Sequence, residues 1–94
     1  MFVAIVDVSL KEEKIPEFKT WITETNIVLS KFDGFVSRRL LEGEGGSKRI
    51  MVEFENIDLF RKMHQSPEHE CFHNELGSFM AAPPKRHFYH VVAE

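Results

Sequence analysis

Phe2-Val3-Ala4-Ile5-Val6-Asp7-Val8 opens the chain with β-branched and apolar residues on both alternating faces, Asp7 being the one interruption on the face it shares with Val3 and Ile5. Successive side chains of a strand point to opposite sides of a sheet, so this pattern predicts a strand covered on both sides. From about Lys14 to Phe32 the period changes. Ile15, Phe18, Trp21, Ile22, Val28, Leu29 and Phe32 recur at three- and four-residue spacing and predict one amphipathic helix. Pro16 falls in its first turn, where a missing N–H costs nothing, and Asp33-Gly34 stops it. Ile27 has no place on the stripe.

Residues 35–42 and 48–55 alternate as half-buried strands across the turn Gly43-Glu44-Gly45-Gly46, which predicts a hairpin. Asn56 offers an N-cap to a helix carrying Leu59, Phe60 and Met63. Ser66-Pro67 interrupts that helix and starts another, which runs to about Phe79 with Phe72, Leu76, Phe79 and Met80 inward. Ala81-Ala82-Pro83-Pro84 is expected to end it, leaving residues 86–93 as a fourth strand. The order strand, helix, strand, strand, helix, strand predicts an α+β, ferredoxin-like split βαβ domain: a four-stranded antiparallel sheet with its helices on one face. The bare face, greasy along the first strand, is expected to meet a second copy, giving a homodimer.

Size and charge agree. Ninety-four residues make one domain, residues 1–94, and a chain this short buries only about 60–65% of the surface its unfolded form exposes. Nine Phe, one Trp and one Tyr are a heavy aromatic load for so small an interior, and a lone cysteine, Cys71, excludes an intrachain disulfide. A partner subunit is the obvious supplement. Twelve basic against fifteen acidic residues give a net charge of −3, which argues against nucleic acid as a partner. No apolar run is long enough to span a bilayer, so no membrane partner is expected. With no charged-then-apolar leader, the expected compartment is a reducing cytoplasm.

The opening strand, the helix end Phe32-Asp33-Gly34-Phe35, the strand Met51-Val52-Glu53-Phe54-Glu55 and the break Gln65-Ser66-Pro67-Glu68-His69 before Cys71-Phe72-His73 together resemble the antibiotic biosynthesis monooxygenase superfamily. The resemblance covers Phe2 to about Val92. The segment Leu76-Gly77-Ser78-Phe79-Met80-Ala81-Ala82-Pro83-Pro84 is similar to the quinol monooxygenase-like branch. What the resemblance implies is a dimeric α/β barrel with a cavity between sheet and helices, where a small aromatic or quinol-type substrate is oxidised by dioxygen, often without metal or flavin, so that no cofactor is expected. Haem-degrading relatives use an Asn, a Trp and a His; carried over, these fall on Asp7, Met63 and His73, of which only the histidine matches. An isomerase of a small phosphorylated metabolite carries a His near Asn26, which is absent here.

Oxidation of this kind needs a base for a phenolic or enolic proton and a donor for the resulting oxyanion. His73 suits the base, since histidine's ordinary pKa of about 6.5 leaves it partly neutral at cellular pH. Asp7, a carboxylate among apolar neighbours, is the expected orienter of the histidine or anchor of a substrate hydroxyl. Trp21, Met63 and Phe72 are expected to wall the cavity, with His69 and Tyr89 as further substrate contacts. Of Tyr89 and His90, which alternate on the last strand, one alone can face the cavity; Arg38 and Arg39 pose the same choice and read most simply as solvent or interface residues. His69-Glu70-Cys71-Phe72-His73 also spells H-E-x-x-H, whose imidazoles share a helix face. No third ligand accompanies it except His87 or His90 at a distance in sequence, so no metal site is assigned. Two alternatives stand beside the monooxygenase: a non-catalytic small-ligand-binding dimer, and an isomerase of a small phosphorylated metabolite.

Overall fold

The computed structural model describes residues 1–94. Strand β1 (Phe2–Leu10) leads through a short 3-10 turn (Glu12–Lys14) into helix α1 (Ile15–Leu29). Strands β2 (Phe35–Glu42) and β3 (Lys48–Phe54) form the predicted hairpin, followed by α2 (Ile57–His64), α3 (Pro67–Phe79) and β4 (Met80–His90). All strand pairs are antiparallel in the order β2-β3-β1-β4. This is the ferredoxin-like α+β architecture expected from the element order.

Local chemistry explains the joints. Asn56 Oδ1 accepts the Leu59 N–H at 2.9 Å and Ser66 Oγ accepts the His69 N–H at 3.2 Å, so both predicted N-caps are formed. Gly34, with φ +81°, turns the chain from α1 into β2 where a Cβ would stand 2.5 Å from Leu59 Cδ1, so only glycine fits beneath α2.

Two expectations need correction. Helix α1 ends at Leu29 rather than Phe32; Ser30 to Phe32 continue as turns whose N–H groups bond to Asn26, Val28 and Leu29 carbonyls. The Ala81–Pro84 segment does not end the helix in a loop but belongs to β4, which starts at Met80 and stops at His90. β4 is an edge strand, where prolines are tolerated, and its register against β1 shifts between Lys85 opposite Asp7 and Ala82 opposite Ser9, absorbing Pro83 and Pro84 in an irregularity.

The helices cover the side of β1 that carries Phe2, Ala4, Val6 and Val8, of which Phe2, Ala4 and Val8 are buried. One cluster gathers Val8, Phe18, Ile22 and Ile50; another gathers Leu29, Phe54 and Met63. Val3, Ile5 and Asp7 stay half-exposed on the other side, and Ile27 is 64% exposed, which explains why it fitted no stripe. Only eleven of 94 residues are buried in the single chain, and Val36, Leu41, Phe88, Tyr89 and Val92 are among the large apolar side chains it leaves exposed.

Candidate active site

Between sheet and helices lies an open-mouthed cavity of about 100 Å³. Its floor is Ala4 and Val6 of β1 with Ile50 and Val52 of β3, because these positions share the covered face of the sheet. Trp21 of α1, Phe60 and Met63 of α2, and Phe72 and Leu76 of α3 form the apolar wall. Trp21 meets Phe72 edge-on at 6.2 Å between ring centres and stacks on Phe18 at 5.5 Å. A wider hollow of about 300 Å³ adjoins it, sharing Phe60, His64 and Phe88, and His90 opens onto that hollow.

Five of the seven residues singled out in sequence therefore line one cavity: His73, His69, Trp21, Met63 and Phe72. Asp7 and Tyr89 do not. Asp7 sits with Val3 and Ile5 on the uncovered face, where Oδ1 is 2.8 Å from Arg49 Nε and Oδ2 is 3.2 Å from His87 Nε2. It cannot orient His73, because the sheet stands between them. Tyr89 pairs across from Val3 and shares that face, so Phe88, opposite Ala4, takes the place expected for it. β1 is apolar on both sides, so its sequence alone does not reveal which side the helices cover.

The polar part of the cavity is cationic and imidazole-rich. His64 of α2 and His69 and His73 of α3 meet there, with ring centres 3.9 Å apart for His64 and His69 and 6.3 Å for His69 and His73. Arg86 of β4 reaches His73, its Nη2 standing 3.5 Å from Nδ1. Burial, and then the neighbouring His64, His73, Arg86 and Arg38, push the His69 pKa down to about 4, and burial followed by Arg86 and His73 lowers that of His64. These two rings are accordingly neutral at pH near 7. His73 and His69 do share a helix face as the H-E-x-x-H spacing predicts, but His87 lies across the sheet, and no cluster of three His, Cys, Asp or Glu could hold a metal ion.

Sequence reasoning missed Arg38. It is buried at 8% exposure, and its guanidinium is stationed against α1: Nε donates to Asn26 Oδ1 at 2.7 Å, Nη2 donates to the Ile22 carbonyl at 2.9 Å and to Thr25 Oγ1, and Asn26 Nδ2 returns a bond to the Arg38 carbonyl at 2.8 Å. The Trp21 ring centre lies 5.3 Å from its central carbon. Burial lowers its pKa to about 10, which still leaves it charged. Arg86 was missed as well; its position two residues before Phe88 on the covered side of β4 was the available signal.

No family model and no curated protein matches the sequence. Solved structures do match the fold. A variant of SnoaB, a cofactor-independent oxygenase from Streptomyces nogalater, is 15% identical and superposes with a TM-score of 0.85 over 99% of this chain and 94% of its own. A protein from Deinococcus radiodurans provisionally named an antibiotic biosynthesis monooxygenase is 14% identical, with a TM-score of 0.84 over 100% of this chain and 95% of that one. One of the same provisional name from Nitrosomonas europaea is 20% identical, with a TM-score of 0.79 over 99% and 100%. The chain thus has the fold of the antibiotic biosynthesis monooxygenases, as its sequence resemblance implied.

Proposed function

We propose that the protein is a cofactor-independent monooxygenase that oxidises a small aromatic, quinol-type substrate with dioxygen, as a homodimer. The observation that carries this reading is the cavity itself: a ring-sized apolar slot between Trp21, Met63 and Phe72 with imidazoles and guanidinium groups at one side. The likeness in fold to SnoaB supports it.

The chemistry is balanced without an external reductant. A quinol that loses its hydroxyl proton becomes an electron-rich anion able to pass an electron to dioxygen. Recombination of the two forms a carbon–oxygen bond, and loss of water leaves a hydroxyquinone. The substrate supplies all four electrons; one oxygen atom enters the product and the other leaves in water. His73, at the cavity mouth, takes the hydroxyl proton, and the Arg86 N–H groups beside it hold the oxyanion. Trp21 and Phe72 present their faces and edges to the ring and exclude water. No helix is long and apolar enough to cross a membrane.

Dimerisation belongs to the same reading. Val3, Ile5, Met51 and Tyr89 form an apolar patch on the open sheet face, bordered by the Asp7–Arg49 and Arg39–Glu53 ion pairs. A second copy seated there covers the patch and leaves the cavity mouth open.

Oxygen uptake with a panel of quinols tests the activity. The account expects consumption of one dioxygen per quinol, and a loss of about a hundredfold in kcat in His73→Ala. Equal rates in the two proteins would remove His73 from the mechanism, and no uptake with any quinol would leave the cavity a binding site alone.

A further inference from the structure

The cavity holds two guanidinium groups, three imidazoles and no carboxylate, in a protein whose net charge is −3. Neither Arg38 nor Arg86 takes part in an ion pair; the paired cations are Arg39, Lys48, Arg49, Arg61 and His87, all elsewhere. A buried charge without a counter-ion is costly, and removing water from it makes an arriving anion more valuable. Arg38 keeps this charge at the cavity because α1 supplies only neutral acceptors: the Ile22 carbonyl, Thr25 and Asn26 bind Nε and Nη2, leaving Nη1 without a protein partner. Nε1 of Trp21, in the same wall, is a buried donor without an acceptor. Donors and positive charge converge here, and the matching acceptor is missing from the chain.

We infer that the cavity selects an aromatic monoanion, a single ring bearing a carboxylate, whose acid group is held between Arg38 and Arg86. The ring requirement comes from size. A 150 Å³ apolar cavity accommodates benzene; this one, at about 100 Å³, is smaller and has room for no more than one ring, whose substituents extend through the open mouth toward the adjoining hollow of about 300 Å³. A phosphate group fits less well. Phosphate sites commonly recruit several free backbone N–H groups at a helix start, whereas the α3 start has at most that of Glu68 to offer: Pro67 has no N–H, and Ser66 takes the N–H groups of His69 and Glu70. A flat carboxylate also matches the planar guanidinium fork, with a smaller charge to desolvate.

This inference rests on the proposed quinol reading for its choice of ring, but its test reads binding alone. Hydroquinone and 2,5-dihydroxybenzoate differ by one carboxylate. Calorimetric titration of each into the protein under nitrogen should give roughly tenfold or tighter binding of the acid, weakened by added salt. Arg86→Gln, at an exposed strand position, should weaken the acid at least fivefold more than hydroquinone and so bring the two affinities together. Arg38→Lys, which keeps the charge but loses the fork, should reduce the preference partially. Equal or weaker binding of the acid by the unaltered protein would overturn the inference, as would a preference untouched by both substitutions. Displacement of the acid by equimolar inorganic phosphate would overturn the carboxylate assignment. Tight binding of the acid with no oxygen uptake in air would instead count against the monooxygenase reading alone.

Discussion

The Arg38 guanidinium stands 5.3 Å from the centre of the Trp21 ring, and its Nη2 donates to the Ile22 carbonyl at 2.9 Å. One side chain of β2 thereby fixes the middle of α1 and the aromatic wall of the cavity together. Its stability depends on Asn26, which both accepts from Nε and donates to the Arg38 carbonyl.

Asn26→Ala should therefore destabilise the fold by about 1–3 kcal/mol, since it strips a buried cation of one acceptor and a carbonyl of its donor. Urea denaturation with an unchanged m-value checks this. A change below about 0.3 kcal/mol would mean that water satisfies both groups in the native state.

Gly34→Ala meets two obstacles: a positive φ and the side chain of Leu59 2.5 Å from the new Cβ. We expect a loss of about 2 kcal/mol or more. The double substitution with Leu59→Ala should cost less than the sum of the two single ones, because the steric part vanishes. Strict additivity would show that the backbone conformation alone is responsible.

Stability should fall on the acid side. His69 has a folded-state pKa lowered from 6.5 to about 4, so between those values the unfolded chain binds more protons than the folded one. Its contribution is complete above about pH 6.5 and is lost as pH falls toward about 4. Solvent on one side of the ring screens the effect, which we place at about 1–2 kcal/mol. Thermal melts across this window should show a slope that His69→Gln flattens. An unaltered slope in the variant would assign the acid sensitivity to other groups.

Ile5→Glu tests the open sheet face. Ile5 lies half-exposed between Met51 and His87, so the change should leave the single chain folded while disrupting the seat of a second copy. Sedimentation should give twice the 11.0 kDa chain mass for the unaltered protein and the chain mass for the variant. A dimer in both would place the interface elsewhere.

Much of the fold was legible because its signals are local. The caps Asn56 and Ser66, the stop at Gly34 and the change of period from β1 to α1 each act within a few residues. The aromatic wall was legible for the same reason, since helical spacing puts Trp21 on the inner side of α1 and Phe72 on that of α3. What failed was the choice of sheet face. β1 is apolar on both sides and Leu40-Leu41 and Ile50-Met51-Val52 repeat the ambiguity on β2 and β3, so nothing in these runs separates Arg38 from Arg39 or shows that Asp7 and Tyr89 point away from the helices. Tertiary cover makes that choice. The β4 start was lost to a second cause, two prolines that an edge strand tolerates beside a register shift.

The most direct test of the proposed reaction is the fate of the oxygen atoms. With isotopically heavy dioxygen and a quinol substrate, mass spectrometry should find a single heavy atom in each hydroxyquinone and the other in water, with no peroxide released. A quinone free of label, accompanied by an equivalent of hydrogen peroxide, would mean that the cavity strips electrons from its substrate without inserting oxygen, and would contradict the account.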